Sequence, residues 1–161
     1  EQNGMVVNFP RKGTFVRKIT KKDIEEHFPI RAVLEGLAAR LAVKNMIDED
    51  IKNMELAFSR MKDAVQKNDF KSYLEHHATY HEIFVYCSRN DTLIEIIKNL
   101  LRQHIWFRFI YRYFQEFYEY SLRVHREILD LFIKRDADRV EALVKEHILI
   151  SLSMRSSEQP L

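Results

Sequence analysis

The sequence predicts an all-α protein: an antiparallel bundle of about six helices, preceded by a short β-hairpin. Residues 37–159 contain neither glycine nor proline, the residues on which turns between antiparallel strands depend. In the same stretch, apolar residues recur at helical spacing between short polar breaks. The chain has 161 residues, of which 46% are hydrophobic and 31% charged, enough for one compact domain with its own core.

Composition narrows the class of protein further. There are 26 Lys plus Arg against 24 Asp plus Glu. A net charge this close to zero gives no reason to expect that this segment binds nucleic acid. The single cysteine, Cys87, excludes an intrachain disulfide. With no signal-like segment, we expect a cytoplasmic protein. Because no apolar run approaches the length of a transmembrane helix, we expect no membrane partner.

The first twenty residues differ from the rest of the chain. Residues 5–9 and 14–16 have β-like sequences, and residues 10–13 (Pro-Arg-Lys-Gly) form a turn signal between them. A hairpin of this size is too small to be stable alone. It looks like the end of a domain whose beginning is missing.

Helices follow from residue 20 onward. Thr20 with Asp23 forms a candidate capping pair, and Pro29 is expected to kink or divide the first helix. Asp48, Asp69 and Asp136 are the expected caps of the second, third and sixth helices. The six helices are expected at about residues 21–46, 48–68, 69–88, 92–113, 116–134 and 136–154.

Four of the seven histidines lie on apolar helix faces. His77 and His81 are four apart and leave the same face of the third helix. His125 and His147 lie on the inward stripes of the fifth and sixth helices. Because burying an unpaired imidazole is costly, a shared divalent cation would satisfy all four rings at once. A polar core network is the alternative, with partners Tyr73, Tyr80 and Tyr111.

Enzyme motifs built on histidine are missing. A zinc protease needs Glu directly after its first histidine, where this chain has Ala78. A di-iron bundle needs Glu three residues before its histidines, and those positions hold other residues. We therefore expect no enzyme. A metal-free helical ligand-binding or dimerisation module remains open as an alternative, and a metal-dependent hydrolase is the weaker one.

Three motifs occur in the order typical of one family. They are Arg31-Ala32-Val33-Leu34-Glu35, then His77-Ala78-Thr79-Tyr80-His81, then His125-Arg126-Glu127-Ile128-Leu129 followed by Asp136 and His147. Residues 30–150 thus resemble the FCD domain, the C-terminal ligand-binding domain of the FadR subfamily of GntR transcription regulators. Residues 9–16 resemble the wing of the winged-helix domain that precedes it.

The resemblance implies a domain division. Residues 1–20 are the end of an otherwise missing winged-helix DNA-binding domain. Residues 21–155 are the effector-binding domain, and residues 156–161 are a frayed tail.

The resemblance also implies a metal site. The family binds a divalent metal through Asp-x3-His on one helix and two later histidines, which correspond here to His77, His81, His125 and His147. The family's aspartate is replaced by His77, so the ligand set lacks an anion. Zn²⁺ or Ni²⁺ suits such imidazole ligands, and the uncompensated charge would attract an anionic effector.

A small carboxylate is the expected effector, since carboxylates fill the open coordination positions in such regulators. Arginine suits bidentate carboxylate binding. The candidate effector contacts are Arg31, Arg102, Arg108 and His104, with an ordinary core position as the alternative for His104. Glu35, four residues after Arg31, is a candidate ion-pair partner.

The remaining partners implied by the resemblance are a second copy of the chain and operator DNA. Effector binding would shift the paired winged helices of a homodimer and so change operator affinity. DNA would be read by the missing N-terminal domain. Arg11 and Lys12 at the wing tip would contact phosphates, with a solvated basic turn as the alternative.

Overall fold

The computed structural model describes residues 6–9, 11–16, 20–103 and 115–156. Within these ranges, two strands, β1 (Val6–Phe9) and β2 (Gly13–Val16), are followed by six helices. The helices are α1 (Lys21–Asn45), α2 (Asp48–Gln66), α3 (Phe70–Cys87), α4 (Asp91–Gln103), α5 (Gln115–Ile133) and α6 (Ala137–Ser156). The predicted fold class, an all-α bundle preceded by a hairpin, is confirmed.

The hairpin pairs β1 and β2 in antiparallel register, from Val6 opposite Val16 to Phe9 opposite Gly13. Its turn needs positive φ at Arg11 (65°) and Gly13 (98°), and the second of these suits glycine. Arg11 and Lys12 are exposed at the tip.

Helix α1 begins as its sequence predicts. The Thr20 N–H donates to Asp23 Oδ2 at 2.8 Å, and the Asp23 N–H donates to Thr20 Oγ1 at 3.2 Å. This reciprocal pair satisfies two of the N–H groups that a helix start leaves open. Pro29 lies inside α1 without dividing it, since one helix runs from Lys21 to Asn45.

The expected cap at Asp48 is wrong. Ile47 is the N-cap residue of α2, and the Asp50 carboxylate accepts its N–H at 2.9 Å. Asp48 lies instead in the first turn, where a negative charge is stabilised by the helix dipole. Asp69 and Asp136 cap as predicted, each accepting the N–H three residues on, at 3.0 and 3.1 Å.

A close approach of α1 and α6 brings the two ends of the chain's helical part together. It depends on Gly36, because a Cβ there would lie 2.7 Å from Lys145 Cγ and 3.2 Å from the Glu141 carbonyl oxygen. Helix α1 also packs on α3, and α5 packs on both α2 and α6. Inward faces of α1, α3, α5 and α6 therefore border one interior.

None of the helices in the described part of the chain is both long enough and apolar enough to cross a membrane.

Candidate metal centre

Four imidazoles from three helices converge in this interior. One ring nitrogen from each of His77, His81, His125 and His147 lies within 4.8 Å of the others. Ring centroids of His77 and His81, of His77 and His125, and of His125 and His147 are 4.6 to 4.7 Å apart. His81, His125 and His147 are at most 2% exposed, whereas His77 keeps partial exposure.

The orientation of His81 is set from α1. Glu35 is fully buried, and its Oε2 lies 2.7 Å from His81 Nδ1. Burial alone would raise the pKa of the Glu35 carboxyl, but Arg31 and His81 outweigh it and hold that pKa well below its usual range. An ionised carboxylate only accepts hydrogen bonds, so His81 Nδ1 must carry the proton and donate it.

The orientation of His125 is set within its own helix. Its Nδ1–H donates to the Ser121 carbonyl oxygen at 2.6 Å. The Tyr73 hydroxyl donates to Ser121 Oγ at 2.7 Å, and the Tyr80 hydroxyl donates to the His125 carbonyl at 2.7 Å. Tyr73 and Tyr80, two of the three tyrosines of the expected polar network, thus support His125.

Because Glu35 holds His81 through Nδ1 and the Ser121 carbonyl holds His125 through Nδ1, the Nε2 atoms of the two rings face each other at 3.1 Å. With Nδ1–H already used on each ring, both Nε2 atoms of neutral rings present lone pairs. Two lone pairs at that distance repel unless a cation lies between them. The cation is either a proton on one ring or a metal ion that accepts both pairs.

The protein environment disfavours a proton on three of these rings, His125, His147 and His77. Burial, and next the neighbouring His81, lower the pKa of His125 to about 3. Burial also lowers the pKa of His147 and of His77 well below the usual range. Neutral imidazoles are the form that binds metal ions.

The geometry of the cluster fits a divalent ion. Nitrogens that share an ion at about 2.0–2.1 Å lie about 3 to 4 Å apart from one another. The 3.1 Å between the Nε2 atoms of His81 and His125 falls within that range, and the nitrogens of all four rings lie within 4.8 Å of one another. Each of the two anchored rings has the second hydrogen bond that metal-ligating histidines require. The cluster could therefore hold a metal ion.

The other predicted site residues fall into two groups. Arg31, with a side chain 11% exposed, pairs with Glu35, as the spacing predicted. The Arg102 side chain and both His104 and Arg108 lie outside the described residues, as does Tyr111 of the alternative network.

Glu35 and Ser121 were not identified from sequence as parts of the site. A signal existed for Glu35, because it shares the i, i+3, i+4, i+7 face of α1 with three buried alanines, Ala38, Ala39 and Ala42. An acid on such a face needs a buried partner. Ser121 lies one turn before His125, where its carbonyl can be reached by that ring.

Comparisons with known proteins agree with the motifs. The model of the FCD domain family matches residues 26–149. The chain is 24% identical over 159 residues to the HTH-type transcriptional repressor RspR of Escherichia coli K12, covering 98% of this chain and 70% of that protein. It is 33% identical over 82 residues to a probable D-xylose utilization operon transcriptional repressor of Paenarthrobacter nicotinovorans, covering 51% and 36% of the two chains.

Solved structures show the same fold. E. coli McbR/YncC superposes with a TM-score of 0.87 at 17% identity, over 98% of this chain and 80% of that one. Streptococcus agalactiae GntR gives 0.70 at 18% identity, over 95% and 76%. The curated relatives are transcriptional regulators rather than enzymes. The chain belongs to the FCD-domain family of GntR-type transcriptional regulators.

Proposed function

We propose that this FCD effector-binding domain holds a divalent metal, Zn²⁺ or Ni²⁺, through His77, His81, His125 and His147, and senses a small carboxylate. The observation that carries the proposal is the 3.1 Å approach of two Nε2 atoms whose rings are both anchored through Nδ1. A bound ion supplies a positive centre with coordination positions for an oxygen ligand.

Charge at the site favours an anionic effector. Imidazoles bind metal ions in their neutral form, and the charges of Arg31 and Glu35 cancel each other. Because His77 stands where the family has an aspartate, none of the four ligands compensates a divalent cation. A carboxylate would supply the missing negative charge. His77 is also the most exposed of the four, which puts the approach for a ligand on its side.

Regulation requires the effector to bind two conformations unequally. In the intact regulator, residues 1–20 would belong to a winged-helix DNA-binding domain that acts on operator DNA in the cytoplasm. The exposed Arg11 and Lys12 would contact phosphates there. We propose a homodimer as the working form and keep the FadR-subfamily assignment as a prediction. Sedimentation of this chain tests the dimer.

Isothermal titration with matched ligands tests the effector class. Monocarboxylates, hydroxy acids and dicarboxylates would each be compared with the corresponding neutral amide, on zinc-loaded and on chelator-treated protein. We expect carboxylates to bind the zinc-loaded protein and to bind the chelated protein and His125→Ala far more weakly. Equal binding of acids and amides, or equal binding with and without metal, would contradict the proposal.

A further inference from the structure

A buried carboxylate lies directly behind one of the four imidazoles. We propose that Glu35 is a positioning residue of the metal centre: by accepting the Nδ1–H of His81, it directs the His81 Nε2 lone pair at the ion and strengthens it as a donor. The inference rests on the proposed metal site and assigns that site a residue from α1, which supplies none of the four imidazoles.

Glu35 is held by partners on two helices. Arg31, one turn earlier on α1, contacts Oε1 through Nε and lies 3.5 Å from Oε2 through Nη2. His81 on α3 contacts Oε2 at 2.7 Å. Full burial of a carboxylate is tolerated only with such pairing. Arg31 therefore keeps Glu35 charged, and the charged carboxylate fixes the His81 tautomer.

An ion pair that served only to hold α1 together would not need His81. The Arg31–Glu35 pair is already complete at i, i+4 spacing, yet the second carboxylate oxygen points at the ring that carries a candidate metal-binding nitrogen. A carboxylate behind a metal-bound histidine fixes the ring and raises its basicity. His125 has the weaker, uncharged equivalent, the Ser121 carbonyl oxygen.

The first test is metal affinity in Glu35→Gln. Competition for Zn²⁺ against a chromophoric chelator should show affinity weakened roughly 10- to 100-fold, and the visible absorption of bound Co²⁺ should change because the donor strength of one ligand changes. Glu141→Gln is the matched control, since Glu141 is also an ion-paired helical glutamate, with Lys145 four residues on, and makes no contact with the four rings among the described residues. Unchanged Zn²⁺ affinity and Co²⁺ spectrum in Glu35→Gln would overturn the inference while leaving the metal site intact.

A second test uses the wild-type chain and so does not depend on the variant folding. Nitrogen-15 NMR of the zinc-loaded protein should show the His81 proton on Nδ1 and zinc on Nε2. The reverse tautomer, with Nδ1 on the metal, would overturn the role of Glu35. If the wild type bound no Zn²⁺ in the first test, the proposed metal site would fail, and this inference with it.

Discussion

Acidifying the metal-free protein should destabilise it steeply just below neutral pH. His125 and His147 are buried with a pKa below the usual 6.5. Below that pH the unfolded chain binds protons that the folded chain excludes, so the free energy of unfolding falls as pH falls. The stability due to these groups is complete above about pH 6.5 and is lost as the pH drops below it.

The size of the effect follows from the number of groups. Each neutral buried histidine contributes about 1.4 kcal/mol per pH unit below its unfolded pKa. His125 and His147 together give about 3 kcal/mol of lost stability at about pH 5.5, and the partly exposed His77 adds a smaller amount. Glu35 adds nothing in this window, since its lowered pKa acts only below its unfolded value of 4.5. A loss of this size is a large fraction of the roughly 5–15 kcal/mol that stabilises a domain.

Urea unfolding followed by circular dichroism, with chelator present, measures this loss between about pH 7.5 and about pH 5.5. In His147→Gln the loss should shrink by about 1.4 kcal/mol, because one titrating group has been removed. A wild-type change below about 1 kcal/mol would refute the reasoning, since even one histidine kept neutral would exceed it.

Three further predictions concern the surroundings of the site. Tyr80→Phe removes the 2.7 Å hydrogen bond to the His125 carbonyl and should lower the free energy of unfolding by about 1 kcal/mol in urea titrations. Phe132→Ala removes a fully buried ring stacked on Phe84 and should cost about 3–5 kcal/mol by the same assay; a cost below about 1 kcal/mol would contradict the packing. Arg40→Ala breaks an exposed ion-pair network and should change the melting temperature little, because solvent screens exposed ion pairs. A large shift would mean that the network is not solvent-screened.

Local sequence rules predicted most of the fold. The long stretch without glycine or proline and the polar breaks predicted six helices. Their ends lie within a few residues of those observed, as at Asp69 and Asp136, except at the end of the fourth helix, where the predicted residues 104–113 lie outside the described part of the chain. The error at Asp48 has a local cause. Three acidic residues, Asp48, Glu49 and Asp50, lie in the first turn of α2, and Asp50 is the one that accepts the Ile47 N–H. Sequence spacing alone does not decide between such neighbours.

The sequence likewise predicted one part of the candidate site, the histidines, and missed another, Glu35. Helical periodicity predicts that His77 and His81 share a face, and the family motif aligns His125 and His147 with them. The 46-residue separation of Glu35 and His81 is beyond any local pattern, because it depends on how two helices face each other across the core. The predicted roles of Arg102, His104 and Arg108 stay predictions, since the structure does not describe those side chains.

Elemental analysis of the purified protein, before and after exhaustive chelation, tests most directly whether histidines from three helices share one ion. We expect about one divalent ion per chain in the wild type, and metal loss or strongly weakened binding in His125→Ala and His147→Ala. The melting temperature should also fall once the metal is removed. The shared metal site would be contradicted if wild-type protein took up no divalent metal and had the same melting temperature in chelator as in excess Zn²⁺ or Ni²⁺.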